Sequence, residues 1–355
     1  MSTPFRVALV GLTRGEGLLN VFGVRPDCEI AVLCDSRPDL VEFHRETFPN
    51  AAGCTEFEEV FEHAPDIVVV STPPAFHAAM SIRALDAGCH VLSEVPAVYS
   101  LDECEPLAEA VLRSGKTYMM GENLYFAPVV DTWQRLLDDG IIGDPVYAEC
   151  EYLHDIGSLT KDNDGKRTWR ADLPPLLYPT HDLGPLLMML RARCTAAVGW
   201  QSKPTLGDDF AAAVGGGIFE TDIGVPIKFL AVFSTPYPGC MHPWRVFGSK
   251  GYLGTQRSPG DQFTLFTDDM DEESDFEIVD IPESHPDAPE EAKLGGHGTS
   301  EYFMINAFVR AVAEGVPPPI DVYRALDMTV PGLCAYESAK NGMARVEVPN
   351  FRVPA

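Results

Sequence analysis

The strongest constraint on the fold is a regular alternation of short β-branched runs with helical stretches over the first 125 residues. The apolar runs are FRVALV, EIAVLC, DIVVVST, HVLSE and KTYMMG. The stretches between them carry apolar residues three and four apart, so one face of each helix can cover a sheet. Strands that alternate with helices build parallel βαβ units. The sequence therefore predicts an α/β fold that begins with a doubly wound parallel sheet in residues 1–125.

Residues 126–355 follow a different pattern, which predicts a C-terminal α+β domain with a large, open, mostly antiparallel sheet. Longer alternating stretches occur, namely VYAECEYLH, AAVGWQSK, AAAVGGGIFE and IKFLAVFS, with one helix, HDLGPLLMMLRAR, among them. The two last helices are expected to pack back onto both domains. A chain of 355 residues also exceeds the ~250–300 residues at which single cores stop growing, which favours two domains.

Composition excludes several classes of protein. The formal net charge of -27 opposes binding to nucleic acid and to anionic membranes. No apolar run reaches the ~20 residues of a spanning helix, and the N-terminus lacks the pattern of a signal peptide. Nine scattered cysteines without a C-x-x-C pair favour a reducing compartment, so we expect a cytoplasmic protein. No metal site is expected, because no His/Cys cluster has ligand spacing.

A glycine turn follows the first strand in VALVGLTRGEGLL. Gly11, Gly15 and Gly17 lie where the strand gives way to a helix, and glycines there let the backbone approach a pyrophosphate. The spacing departs from G-x-G-x-x-G, because Thr13 occupies the usual second glycine position. With Arg14, these turn residues are candidates for cofactor binding.

The second strand ends at Asp35, 24 residues after Gly11. A carboxylate near this spacing binds the ribose 2′-hydroxyl of a dinucleotide and repels a 2′-phosphate, which favours NAD over NADP. Ser36 is a further candidate for cofactor binding. The nearby positive charge of Arg37 favours NADP over NAD. The alternative role for Asp35 is a helix cap before Pro38.

Polar residues also follow the later strands, at the carboxyl edge where open α/β sheets bind ligands. Ser71, Thr72 and Pro73 follow the fourth strand, with His77 just inside the next helix; a plain turn is the alternative. The other candidates for cofactor binding follow the fifth and sixth strands: Glu94, Val95, Pro96 and Glu122.

This order of a glycine turn, Asp35, S-T-P-P-x-x-H and Glu94-Val95-Pro96 resembles the Gfo/Idh/MocA family of oxidoreductases. The resemblance implies an N-terminal Rossmann domain and a substrate bound over the nicotinamide, at the junction with the second domain. Many dehydrogenases of that family carry Glu-Lys-Pro, in which the lysine helps to move the proton of the reacting hydroxyl. Val95 replaces this lysine here and cannot exchange a proton, which argues against a simple dehydrogenation that uses it.

The downstream motifs GENLYF, EYLHD, YPTH and GGHGTSEY are similar to one branch, the NAD-dependent glycoside hydrolases of the α-N-acetylgalactosaminidase type. The resemblance places Glu122, Tyr152, Arg170 and His181 on sugar-pocket positions. Further candidates for contact with the substrate are Tyr178, His154, His297 and Trp169.

Three of these residues are candidates for catalysis. Histidine exchanges protons near neutral pH, so His181 is assigned the proton of the reacting hydroxyl; its alternative is a capping role at the start of a helix. Tyr152 is a candidate base at the neighbouring carbon if a cation such as Arg170 stabilises its phenolate, and otherwise a core residue. Glu122 would orient a hydroxyl or protonate the leaving group, or else form a salt bridge.

The leading hypothesis is an NAD-dependent carbohydrate enzyme that uses transient oxidation of a hydroxyl for redox-neutral cleavage or elimination of a glycoside. The alternatives are an NAD-linked sugar or polyol dehydrogenase, with His181 in place of the missing lysine, and a non-catalytic sensor of dinucleotide or sugar. The open sheet leaves one face to be covered, so a homodimer or homotetramer is expected. The sugar and the leaving group are not identified by the sequence.

Overall fold

The structure is a computed structural model that describes residues 3–162, 164–203, 211–234, 236, 241–255, 263–270, 277–282 and 284–352. Two units can be distinguished. The first comprises Met1–Ala127, Ser284–Leu326 and Phe351–Ala355, and the second comprises Pro128–Glu283 and Asp327–Asn350. Residues 284–326 therefore belong to the first unit, although they follow the second unit's sheet in the sequence.

The first unit is built on a parallel sheet. Its strands are β1 (Phe5–Val10), β2 (Cys28–Cys34), β3 (Ala52–Cys54), β4 (Ile67–Val70), β5 (His90–Ser93) and β6 (Tyr118–Met120). In the described part of the unit they pair in the order β3-β2-β1-β4-β5-β6, with every pair parallel. The predicted doubly wound sheet is confirmed. The strand order reverses between β1 and β4, which is where such sheets bind ligands.

The helices carry the apolar faces that the sequence predicts. They are α1 (Leu12–Gly23), α2 (Pro38–Thr47), α3 (His77–Asp86), α4 (Cys104–Ser114), α5 (Pro128–Asp138), α6 (Thr180–Met189), α7 (Ser300–Glu314) and α8 (Val322–Lys340). Proline at the first position of α2 suits a helix start, because the N–H that it lacks has no acceptor there. Over the described residues, no helix combines the length and apolarity needed to cross a bilayer.

The second unit contains the large mixed sheet. Its strands are β7 (Pro145–Leu153), β8 (Cys194–Gln201), β9 (Val214–Thr221), β10 (Ile227–Val232), β11 (Trp244–Gly248), β12 (Gly251–Thr255), β13 (Phe263–Thr267), β14 (Glu277–Val279) and β15 (Val346–Glu347). In the described ranges their order is β14-β13-β12-β11-β7-β10-β9-β8-β15, and β7 with β10 is the parallel pair. The predicted open, mostly antiparallel sheet is confirmed, and β11–β14 extend it beyond the predicted stretches.

One face of this sheet is covered by α8. A Cβ on Gly199 of β8 would lie 2.1 Å from the Ala335 carbonyl oxygen of α8. The Gly199 N–H donates to Ser338 Oγ on the same helix over 3.0 Å. Glycine at this position therefore lets the helix backbone lie directly on the strand.

Gly17 has the corresponding role in the first unit. It lies in α1, and an added Cβ would be 2.2 Å from the Gly295 carbonyl oxygen, in the 3₁₀ turn Glu290–Gly295. This turn leads into α7, so Gly17 sets how closely residues 284–326 approach the Rossmann helix. Glycine is needed at position 17 because another segment of backbone packs directly against it.

We expect Gly17→Ala to destabilise the protein, because backbone atoms at Gly295 cannot move aside as a flexible side chain would. Overpacking of this kind costs about 1–3 kcal/mol, and the better helix propensity of alanine recovers no more than about 1 kcal/mol. Thermal or urea unfolding measures the change. Glu16→Ala, at the exposed neighbouring position of α1, is the control and should be close to neutral; equal stability of the two variants would contradict the packing argument.

Candidate cofactor and proton-transfer sites

Three strand ends of the first unit meet at Gly11, in the turn between β1 and α1. Its φ is +91°, in the region that favours glycine. Its N–H donates to the Cys34 carbonyl at the end of β2 over 2.9 Å. A Cβ would lie 2.4 Å from the Ser71 carbonyl oxygen, just beyond β4. The turn therefore requires glycine, and α1 begins at the next residue.

The Asp35 carboxylate joins this turn to the end of β2. One oxygen accepts the Leu12 N–H over 2.7 Å, and the other accepts the Arg37 N–H over 2.9 Å. Asp35 does not cap the helix at Pro38, since α2 has Arg37 as its N-cap and no side-chain cap hydrogen bond; it binds the first N–H of α1 instead. Each carboxylate oxygen has a second lone pair that can accept a ribose hydroxyl. The Arg37 guanidinium pairs with Asp39 at 2.5 Å, and Ser36 is exposed beside it.

The first turn of α1 combines an exposed Thr13, a half-buried Arg14 and a buried Gly15. A Cβ on Gly15 would lie 2.5 Å from Leu9 Cδ2, so this glycine serves the packing of helix against strand. The Arg14 guanidinium lies 3.1 Å from Glu94 and 3.9 Å from Glu301. It therefore carries the positive charge at the start of α1 while neutralising two buried acids.

His77 ties together the loops that follow β4 and β5. Its Nε2 lies 2.7 Å from the Thr72 carbonyl oxygen, and its Nδ1 lies 2.9 Å from the Pro96 carbonyl oxygen. The ring is 1% exposed, and burial lowers its pKa against the opposing effect of the two carbonyls. His77 therefore positions the loop of Ser71, Thr72 and Pro73.

Glu94, Val95 and Pro96 form the second of these loops and are all buried. Glu94 forms the ion pair with Arg14, and the Val95–Pro96 peptide is cis. Val95 is 4% exposed and offers no proton-exchanging group. The loop therefore leaves proton transfer to other residues.

Glu122 lies at the end of β6 and is completely buried. Its Oε1 accepts the Leu124 N–H over 3.1 Å and caps the 3₁₀ turn Asn123–Phe126. This contact gives Glu122 a structural role at the start of that turn. Asn123, the next residue, donates its amide N–H to Glu301 over 3.1 Å.

Glu301, which the sequence analysis missed, is the centre of a buried polar group in the first unit. It is 0% exposed and accepts hydrogen bonds from Asn123 and from the His297 backbone and ring. Burial raises its pKa, but the His297 hydrogen bond and the charges of His297 and Arg14 outweigh burial and hold the pKa below its ordinary value. His297, a candidate for substrate contact, thus lies in the first unit with its side chain 56% exposed.

This edge of the first unit fits the diphosphate and ribose of NAD. A helix N-terminus offers N–H donors without intrahelical acceptors, together with the positive end of the helix dipole. The start of α1 supplies both at Gly11, where a side chain would collide with Ser71. Asp35 adds acceptors beside the same turn. These features suit a phosphate bound at the N-terminus of α1 and ribose hydroxyls bound by the Asp35 carboxylate.

The second unit gathers aromatic and imidazole groups around Tyr152 of β7. The Tyr152 hydroxyl lies 2.7 Å from His154 Nδ1, two residues along the strand. The Tyr152 ring centroid is 5.8 Å from those of both Tyr178 and His181. Tyr178 and His181 are 5.1 Å apart, and the Tyr178 hydroxyl lies 3.3 Å from His181 Nε2. The structure thus brings together four residues that the sequence singled out.

Two members of this cluster were missed by the sequence analysis. His242 stacks on Tyr152 with centroids 5.3 Å apart, and its Nδ1 lies 3.1 Å from Asp182 Oδ1. Asp182 follows His181 directly, which is the one local signal that was available. His242 lies 60 residues farther along the chain, so no spacing rule connects it to the cluster.

Trp169 and Arg170 stack on each other beside this group. The Arg170 guanidinium carbon lies 4.5 Å from the Trp169 ring centroid, a cation–π contact. Burial, and next the charge of Arg170, lower the pKa of His154. His154 therefore favours its neutral form, which suits it to accept the Tyr152 hydroxyl proton. Arg167, in the preceding loop, pairs with Asp172 at 2.8 Å.

Comparison with known proteins finds matches at both ends of the chain. Residues 5–122 match an oxidoreductase family with an NAD-binding Rossmann fold, Gfo/Idh/MocA. Residues 285–353 match the C-terminal domain of glycosyl hydrolase 109. A Glycosyl hydrolase family 109 protein of Shewanella pealeana is 25% identical over 98% of this chain and 85% of its own. The same name is given to a protein of Saccharopolyspora erythraea that is 26% identical over 98% and 83%.

Solved structures share the fold. Levoglucosan dehydrogenase, in complex with NADH and L-sorbose, has a TM-score of 0.83 and 17% identity over 98% of this chain and 99% of its own. An oxidoreductase domain protein from Kribbella flavida has a TM-score of 0.81 and 22% identity over 98% and 100%. The expected α/β fold and the expected cofactor class are thereby confirmed. The chain is thus similar to the Gfo/Idh/MocA oxidoreductases over residues 5–122 and to the C-terminal domain of glycosyl hydrolase 109 over residues 285–353.

Proposed function

We propose that this protein acts on a carbohydrate and cleaves a glycosidic substituent through transient oxidation of a sugar hydroxyl, so that the overall reaction is redox-neutral. The observation that supports this proposal most strongly is the cluster of Tyr152, Tyr178 and His181, whose ring centroids lie 5.1–5.8 Å apart. Such a reaction needs several groups that exchange protons at one sugar ring. The names of the glycosyl hydrolase relatives support the same class of substrate.

NAD, held at Gly11, Thr13 and Asp35, would supply reversible hydride exchange at a ring carbon, which makes the neighbouring C–H acidic. His181 takes the proton of the hydroxyl that is oxidised, because imidazole exchanges protons near neutral pH. Its contact with the Tyr178 hydroxyl orients the ring.

Tyr152 takes the proton of the acidic C–H in this proposal. Its hydroxyl can first pass its own proton to neutral His154, 2.7 Å away, which leaves a phenolate as the base. The positive charge of Arg170 stabilises the phenolate that this transfer forms. Trp169 supplies a flat apolar surface of the kind that packs against sugar rings. Buried Glu122 shapes the turn Asn123–Phe126 and is not assigned a proton.

We expect that at least one aryl glycoside in a panel releases its aryl alcohol when it is incubated with the protein and NAD. NADH, followed by its absorbance, should not accumulate in this reaction. His181→Gln should lower kcat by about 10²–10⁴-fold, the usual contribution of a general acid or base. His90→Gln, which removes an imidazole in the first unit that accepts the Thr117 N–H, is the control and should retain activity. NADH that accumulates in proportion to product would instead indicate a dehydrogenase, and sugar affinity without turnover would indicate a sensor.

We also propose that the face of the second sheet that carries Trp200, Ile218 and Phe247 binds a second copy of this chain. Trp200, Ile218 and Phe247 are 40%, 44% and 37% exposed and alternate with the residues that face the core. Among them Glu149 pairs with Arg245 at 2.7 Å and with Lys228 at 3.1 Å. A surface that mixes apolar and both charged groups is complementary to itself about a twofold axis.

Light scattering of the purified chain should return a mass of at least twice that of one chain. Ile218→Asp should shift the mass to that of one chain, because a carboxylate in the centre of the contact would be desolvated without a partner. Ile223→Asp, at an exposed position outside these strands, is the control. A single-chain mass for the unaltered protein would rule the pairing out.

A further inference from the structure

The second unit contains a buried acid beside a half-buried imidazole. Asp182 is 0% exposed, and the His242 side chain is 24% exposed. Asp182 Oδ1 and His242 Nδ1 lie 3.1 Å apart. A carboxylate deprived of water is costly unless it is hydrogen-bonded, and this contact supplies such a bond.

Packed neighbours fix the positions of both Asp182 and His242. Asp182 lies in the first turn of α6, where its backbone carbonyl accepts the Trp244 indole N–H over 3.0 Å. Trp244 is 1% exposed and packs edge-on against Trp133 at 6.1 Å. His242 precedes Trp244 by two residues, so the same contact fixes the segment that carries the imidazole. The Asp182–His242 geometry is therefore set by packed neighbours.

The carboxylate decides which nitrogen of His242 carries a proton. An ionised carboxylate only accepts hydrogen bonds, so Nδ1 must be the donor. Nε2 is then an acceptor in neutral imidazole and a donor in imidazolium. The same logic operates when a buried aspartate orients a catalytic histidine.

The position of His242 places it within the proton-transfer cluster. Its ring stacks on Tyr152 at an angle of 28° and lies 6.0 Å from the His181 ring. Among the described residues, the ionisable groups in its surroundings are Tyr152 of β7, His154 just beyond this strand, Tyr178 just before α6, His181 and Asp182 in the first turn of α6, and Arg170. Asp182 is the carboxylate that pairs with His242.

We propose that His242, oriented by Asp182, is the general acid that protonates the departing oxygen of the glycoside, a role separate from that of His181. This inference rests on the proposed function. The anomeric C–O bond breaks with its electron pair moving to oxygen, and the proton leaves protonated Nε2 to form the new O–H bond. Neutral His242 then takes a proton from the water that adds to the same carbon. The residue thus returns to its starting form in each turnover, and Asp182 acts as a positioning residue.

Leaving groups of different acidity provide the decisive test. We expect His242→Gln to lower kcat/KM for alkyl glycosides by about 10²–10³-fold, and by less than about 10-fold for dinitrophenyl glycosides, because an acidic phenol leaves without a proton. His181→Gln should lower both equally, and His90→Gln neither. An equal loss for both leaving groups in His242→Gln would overturn the inference. An unaltered protein that cleaves neither class overturns the proposed function itself.

A measurement without substrate tests the role of Asp182. Nitrogen NMR of histidine-labelled protein, assigned with His242→Gln, should show the proton of His242 on Nδ1. Asp182→Asn should move it to Nε2, since the amide can donate to Nδ1, and should reproduce the dependence on the leaving group. A thermal unfolding curve close to that of the unaltered protein confirms that the variant is folded. A neutral His242 ring that carries its proton on Nε2 alone in the unaltered protein, or an unchanged tautomer in Asp182→Asn, would contradict the assignment.

Discussion

A single carboxylate, that of Asp35, organises the ligand-binding edge of the first unit. It accepts the first N–H of α1 and the N–H of Arg37, so it fixes the start of one helix against the end of β2. Gly11 makes this possible, since only a residue without a side chain fits between Cys34 and Ser71. The helix terminus that we expect to bind phosphate and the acid that we expect to bind ribose are therefore parts of one hydrogen-bonded turn.

Departures from the usual motifs have physical explanations in the fold. Gly15 leaves space for the side chain of Leu9 in β1, and Gly17 leaves space for the backbone carbonyl of Gly295. Thr13 can occupy the usual second glycine position because it is exposed. Val95 in place of lysine leaves a buried, inert loop, while imidazoles and phenols are concentrated in the second unit. The candidate residues for cofactor binding and those for proton transfer are thus different sets.

The sequence predicted what depends on local periodicity and on strand ends. The parallel sheet, the antiparallel sheet, the turn at Gly11 and the position of Asp35 at the end of a strand all follow from patterns within a few residues. His242 and Glu301 escaped prediction because their partners are distant: Asp182 lies 60 positions from His242, and Asn123 lies 178 from Glu301. Their roles come from tertiary packing, which periodicity does not encode. The contact of Gly17 with Gly295 was unpredictable for the same reason.

Calorimetric titration of the purified protein with NADH and NADPH tests the central claim, that the turn built by Gly11 and Asp35 holds a nicotinamide dinucleotide. Hydrogen bonds to a charged group are worth about 1.5–3 kcal/mol, so Asp35→Asn should weaken NADH binding by about 10- to 100-fold and reduce the preference over NADPH. Asp39→Asn, which removes the exposed partner of Arg37, should leave NADH affinity almost unchanged. Absence of NADH binding, or equal affinity in the Asp35 variant, would contradict the account.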